Sequence, residues 1–280
     1  MKFVKETPDE GLTFRPGLQW PSPDQPILQL CMLAVSDASH GNEDEWVDDW
    51  QVREPFRSLG GKAIFLGSMD AISGDHARVH VVSFGSSLLK RVVNSTMKAE
   101  TYQMTEVQDS ADTMRAAFAD CHIELKQATW EKQASEFMKS VWFTDCRSLY
   151  DSLQKPVAKS VEKRLGIDLA GLRQFLWRVS GEDPPPARTL EEKPALERRT
   201  DYIRWVDTMV MCADVFTKRM REEYLMQVIG SNVWNFAQPE EGKAIKHKKK
   251  LQRQAQHEVN DQGEVGLVES DADVLQSCGE

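Results

Sequence analysis

Several protein classes are excluded by what this chain lacks. Its five cysteines (Cys31, Cys121, Cys146, Cys212, Cys278) include no C-x-x-C pair and are odd in number. That argues against a disulfide framework or a thiolate zinc site, and for a reducing compartment. No apolar run approaches the roughly 18 residues of a membrane span, and the opening MKFVKETPDE has no apolar segment of the secretory kind. An intracellular location, cytoplasmic or nuclear, with no membrane partner is the resulting expectation. There is no G-x-x-x-x-G-K-[ST] loop to cradle a nucleoside triphosphate, and no G-x-S-x-G elbow for a serine nucleophile. No internal repeat is present. A cationic surplus is missing too: the net charge is −9, and residues 1–240 carry −7 of it once the +4 of 241–260 and the −6 of 261–280 are set aside. Such a body is a poor general binder of phosphate backbones, which need clustered Lys and Arg.

What is present is enough for a real core. Of the 280 residues 40% are hydrophobic and eight are tryptophan, room for one large domain or two small ones. Residues 1–26 are punctuated by proline and glycine and read as turns. ILQLCMLAVSD then forms a long apolar run ending on Asp37, which suits a buried central strand. A polar loop closed by a Gly60–Gly61 turn follows, then two short strands (KAIFLGSMD and RVHVVSFG) joined as a hairpin. A long helix is predicted from about Ser95 to Leu125, with Asn94 or Ser95 as its cap. SVWFTD reads as a strand ending on Asp145, and a helix covers roughly 160–177. Residues 181–200 are a proline- and charge-rich excursion. DYIRWV is a fifth strand, and the apolar VDTMVMCADVFTKRM reads as an amphipathic helix. The tail, 238–280, is basic and then acidic and reads as disordered.

Two acids sit where apolar residues or neutral caps would serve better. On the long helix Met97, Met104, Val107, Ala111, Met114 and Phe118 make one stripe, and the gap in that stripe is filled by Glu100. A carboxylate there costs several kcal/mol unless it is paired, protonated or bound to a cation. Asp214 lies in the first turn of the last predicted helix. An acid at that place can be simple dipole complement, favourable by a few tenths to about 1 kcal/mol. The element order suggests otherwise. Three antiparallel strands followed by two reached through helices give a mixed five-stranded sheet flanked by helices. In that arrangement the strands ending on Asp37 and Asp145 lie side by side and parallel, with Glu100 facing them and Asp214 arriving from the last helix. Four carboxylates together repel unless cations hold them. Two Mg²⁺ or Mn²⁺ ions balance four such charges and prefer hard oxygen ligands.

LAVSDASHGN, VVNSTMKAETYQM, VWFTDCRSLYDSL, RLGIDLAGLRQF and WVDTMVMCADVFTKRM, in that order, resemble the ribonuclease H domain of copia-type retrotransposon polyproteins. FVKETPDEGLTFRPG looks like the end of the reverse-transcriptase region that precedes it. The resemblance covers roughly residues 3–229 and matches poorly at 181–200. It implies a ribonuclease H-like domain over 27–237, preceded by the end of the polymerase region over 1–26. It also implies two-metal-ion hydrolysis of the RNA strand of an RNA–DNA hybrid, with the reverse-transcriptase region of the same polyprotein as partner. Asp37, Glu100, Asp145 and Asp214 become the catalytic and metal-binding acids, and Ser39, Ser95, Thr96 and Arg147 the residues that meet substrate.

The chain departs from the family pattern at three places. STMKAE stands for Ser-Thr-Glu-Ala-Glu, so the catalytic acid is kept and the outer one is not. Cys146 and Arg147 replace the Asn-Gln pair that follows the third acid, and Gly166 replaces a histidine. The loop before the last acid, VDTMVMC, holds no histidine to assist product release. His40 reads as a solvated loop residue near Asp37, and Trp46 or Trp50 as a lid or stacking surface. KHKKK is a nuclear-import or phosphate-binding patch, or a solvated run. A structural or nucleic-acid-binding domain that has lost turnover is the alternative to an active nuclease.

Overall fold

The computed structural model describes residues 30–40, 58–154, 162–176, 201–218 and 223–237. Expectations for residues 1–26, Trp46, Trp50, 181–200 and the tail 238–280 lie outside the described residues. The fold is α/β, and among the described residues a mixed sheet of six strands lies, counted in chain order, as fifth, fourth, first, second, third, sixth. Strands β1 (Leu30–Ser39), β2 (Leu59–Ser68) and β3 (His76–Leu88) form an antiparallel meander. Strand β4 (Lys139–Thr144) lies parallel to β1, and β5 (Tyr202–Trp205) parallel to β4. The expected five strands and their directions are therefore present. The sixth, β6 (Val233–Asn235), was not foreseen and pairs antiparallel with the start of β3. Three residues are too few to show an alternating pattern. What fixes β6 is the wholly buried Trp234, packed against Phe65, Phe143 and Phe236.

All ten residues of β1 are buried, as a strand covered on both faces should be. Its odd-numbered members Cys31, Leu33 and Val35 pack with β3, residues 206–213 and Trp234. Its even-numbered members Leu30, Met32 and Ala34 pack under four helices: α1 (Thr96–Asp120), α2 (Trp130–Phe137), α3 (Arg147–Gln154) and α4 (Lys163–Leu176). Ser95 caps α1, its side chain accepting from the Lys98 backbone N–H. Helix α2 went unpredicted. It has eight residues, and only Ala134 and Ser135 of them are buried, so its apolar stripe is too sparse to read.

Three further expectations need correction. Gly60 and Gly61 are not a turn: they lie inside β2, paired with Ala38 and Asp37. The long-helix stripe drifts, so that beyond Val107 the buried positions are Gln108, Ala111, Asp112, Arg115 and Ala119, while Met114 and Phe118 are only partly covered. The segment after β5 is not one helix. It holds two short 3-10 turns, Thr208–Val210 and Asp214–Phe216, and a separate helix, α5 (Glu223–Ser231). Val210, Met211, Cys212, Ala213 and Asp214 are buried in succession. A regular helix at the protein surface would have turned some of them to solvent.

Candidate metal centre

Four acids reach one end of the sheet by four routes. Asp37 is near the end of β1, Asp145 follows the last residue of β4, and the parallel pairing of those strands brings both to the same edge. Glu100 comes from the second turn of α1. It is 2% exposed, and its Oε1 accepts from the Ala38 backbone N–H at 3.3 Å. Asp214 opens the second 3-10 turn and is 2% exposed. Ligand oxygens of Asp37, Asp145 and Asp214 all lie within 4.8 Å of one another. Asp214 thus opens a three-residue 3-10 turn rather than a long α-helix, and so short a turn has little dipole for it to complement.

Glycines let these elements approach. A Cβ on Gly61 would stand 2.8 Å from Thr217 Cγ2 and 2.9 Å from the Ala213 carbonyl oxygen. A Cβ on Gly60, on the opposite face, would collide with the Gln103 amide from α1. The pair therefore seats the Asp214 turn on one face and the helix bearing Glu100 on the other.

Hydroxyls and one cation orient the acids. The Thr217 hydroxyl donates to Asp37 Oδ2, and the Thr208 hydroxyl to Asp145 Oδ2 at 2.8 Å. The Lys218 ammonium lies 2.7 Å from Asp214 Oδ1 and 3.5 Å from Asp37 Oδ1. Trp205 Nε1 donates to the Asp145 carbonyl at 2.9 Å, tying the acid's backbone to β5.

The electrostatics are those of an undercompensated cluster. Burial, then the charges of Asp37 and Asp145, push Glu100 well above the ordinary carboxylate range. Burial and Asp37 likewise raise Asp145. Asp214 is pushed up to about 7 by burial and Asp37, against the pull of Lys218. Lys218 itself is held above its ordinary value: burial lowers it, and Asp37 and Asp214 outweigh that. Glu100 Oε2 is buried without a hydrogen-bond partner, an oxygen that a water or a cation would have to meet. With oxygen-only donors, most of them buried, the set fits a hard divalent ion rather than a thiophilic one.

The expected substrate residues are placed less uniformly. Ser39 is 4% exposed, and its hydroxyl has no hydrogen-bond partner, so it faces the interior rather than an open surface. Ser95 and Thr96 are exposed at the start of α1, where Ser95 is already used as the cap. Arg147 is exposed beside the acids, paired to Asp151 at 3.0 Å and lying over the rings of Tyr150 and Trp205 at 5.3 and 5.4 Å. His40 is exposed. Thr208, Thr217 and Lys218 were missed by sequence reasoning. The spacing of Lys218, four residues after Asp214, was the available signal.

Fold and site together define an α/β protein with a buried carboxylate cluster in which Asp37, Asp145 and Asp214 could hold a metal ion. No protein family, characterised protein or solved structure matches the chain. Among the described residues no helix is long and apolar enough to cross a membrane.

Proposed function

We propose that the protein is a ribonuclease H-like nuclease that hydrolyses the RNA strand of RNA–DNA hybrids with divalent metal, as its likeness to copia-type retrotransposon polyproteins suggests. The observation that carries the reading is the convergence of Asp37, Asp145 and Asp214 within 4.8 Å, beside the unpartnered Glu100 oxygen. Two Mg²⁺ or Mn²⁺ ions held by these acids would supply activation of water and stabilisation of the leaving oxygen. The protein's own part is to hold the ligands still. Thr217 fixes one oxygen of Asp37 and Thr208 one of Asp145, leaving the second oxygen of each free of those hydroxyls. Burial of Glu100 and Asp214 keeps bulk water from screening the charge they present. Arg147, on its aromatic platform, offers a guanidinium suited to a phosphate of the bound hybrid. The reverse-transcriptase region of the same polyprotein would supply the remaining grip, since residues 1–240 carry −7.

The test is degradation of end-labelled RNA presented as hybrid, single strand and RNA duplex, with Mg²⁺, Mn²⁺ or chelator. Cleavage of the hybrid only, dependent on metal and abolished by Asp145→Asn, is the expected result. Retained hybrid binding with no cleavage under any metal supports instead a domain that has lost turnover. Cleavage that persists in chelator, or in Asp145→Asn, removes the acid cluster from the mechanism.

A further inference from the structure

Lys218 is the one side chain with a positive charge within ion-pair distance of the acid cluster among the described residues, and its position conflicts with the cluster's proposed task. Its ammonium contacts Asp214 at 2.7 Å and Asp37 at 3.5 Å, two of the three carboxylates whose oxygens converge. Those acids have side chains 3% and 2% exposed, whereas the lysine side chain is 37% exposed. The ammonium therefore enters from the solvent side, and its stem has room to swing away. Asp214 and Lys218 are four residues apart across a 3-10 turn, so Lys218 is carried by the element that delivers the acid. The backbone of that turn is closed by Lys218 N–H to the Asp214 carbonyl at 2.9 Å. The contact thus does not depend on a distant element staying in place.

We propose that Lys218 is a resident counter-cation which holds Asp37 and Asp214 together in metal-free protein and competes with a divalent ion for their oxygens. This rests on the metal-centre reading above. A lysine is suited to the part: it is a compact charge on a flexible stem, able to leave as a unit, where an arginine fork would bind the two carboxylates more persistently. Metal entry then requires the ammonium to move out toward solvent. Displaced, it places a positive charge at the rim of the site, on the side from which an anionic substrate must approach. The ion pair accordingly serves the metal-free state at the expense of metal affinity, and its removal should move those two properties in opposite directions.

The experiment uses the full chain and reads metal binding without turnover: Mn²⁺ titration followed by the free-ion paramagnetic resonance signal, with thermal melting of the metal-free proteins alongside. Lys218→Ala is expected to melt lower than wild type without metal, yet to bind Mn²⁺ about fivefold or more tightly, since a competing charge within about 4 Å is gone. Lys218→Arg, which keeps the charge, should bind no more tightly than wild type. Lys218→Gln should behave as the alanine variant does, and stands in for it if alanine does not fold. Unchanged or weaker Mn²⁺ binding in folded Lys218→Ala or Lys218→Gln, with wild type binding normally, overturns the proposal and leaves the metal-centre reading intact. Absence of Mn²⁺ binding in wild type overturns both.

Discussion

Helix α1 carries buried charge at both of its ends, and the two groups are resolved differently. Toward its C-terminal end Arg115, 2% exposed, donates to Asp112 and, at 2.6 Å, to Asp201 Oδ1. The same Asp201 oxygen accepts from the Ser140 backbone N–H at 2.9 Å, and Arg115 also reaches the Met138 carbonyl at 3.2 Å. This group pins α1 to the start of β4 and the approach to β5. One guanidinium faces two carboxylates, and the Gln108 amide donates to the second oxygen of Asp112 at 2.5 Å. At the N-terminal end Glu100 feels the charges of Asp37 and Asp145 from beside the convergent aspartates, and among the described residues the one cation paired with those aspartates is the half-exposed Lys218. Both groups are buried and both are costly to desolvate. One is held mainly by direct ion pairs within the fold, although Arg115 Nε has no hydrogen-bond partner, and serves as a fastening. The other is left in deficit, and a deficit of positive charge is what a cation site requires.

That contrast makes predictions of unequal size. Breaking the fastening should hurt most. Arg115→Met leaves Asp112 and Asp201 buried without their partner and is expected to cost about 3–5 kcal/mol, lowering the melting temperature by roughly 10 °C. A shift of only a degree or two would mean the two groups are not energetically distinct.

The deficit should show next in the pH dependence of the metal-free protein. Asp214 is held at about 7 in the folded chain, above the ordinary carboxylate value, and Glu100 and Asp145 are displaced in the same direction. Between the unfolded and folded values the native state binds protons that the unfolded state does not, so stability falls as pH rises. Metal-free protein should melt several degrees higher at pH 5 than at pH 8, with a shallower slope in Asp214→Asn. Arg115 adds nothing to that slope, because Asp201 and Asp112 outweigh its burial and keep it charged. A melting temperature that climbs from pH 5 to pH 8 contradicts the assignment.

The smallest effect has an unusual sign. Asp145→Asn removes one repelling charge while preserving shape and the acceptor for Thr208. It should raise the metal-free melting temperature by about 2–4 °C, the response to roughly 1 kcal/mol in a domain of this size. Destabilisation on the scale of Arg115→Met would place Asp145 among the fastenings.

How far these two groups were legible in the sequence differs for a physical reason. Asp37 and Asp145 could be read because each ends an apolar run, and strand ends at one sheet edge follow from parallel pairing. Glu100 could be read because it interrupts a stripe of Met97 and Met104. Asp214 was found as an acid but assigned to a helix, since the apolar residues of 206–216 recur at helical spacing. Burial of five consecutive residues, a tertiary demand, overrides that spacing. Arg115 was not read at all: it is set by the drift of the buried face of α1 beyond Val107 and by Asp201, 86 residues away. Gly60 and Gly61 misled because a glycine pair suits a turn as readily as a close approach of neighbouring elements, and only the packed structure distinguishes the two. Thr208 and Thr217 have no periodic signature and become visible only when the acids they hold are in place, whereas Lys218 was signalled by its i,i+4 spacing from Asp214.

The claim that the deficit is a cation site is tested most directly by melting the full chain at pH 7.5 with chelator and with Mg²⁺, wild type beside Asp214→Asn. An ion that binds only the folded chain stabilises it by mass action, about 2.7 kcal/mol at 100 times its dissociation constant. The account predicts a rise of several degrees in wild type that grows with Mg²⁺ concentration, and a much smaller rise in the variant. No rise in wild type, or an equal rise in both proteins, contradicts it.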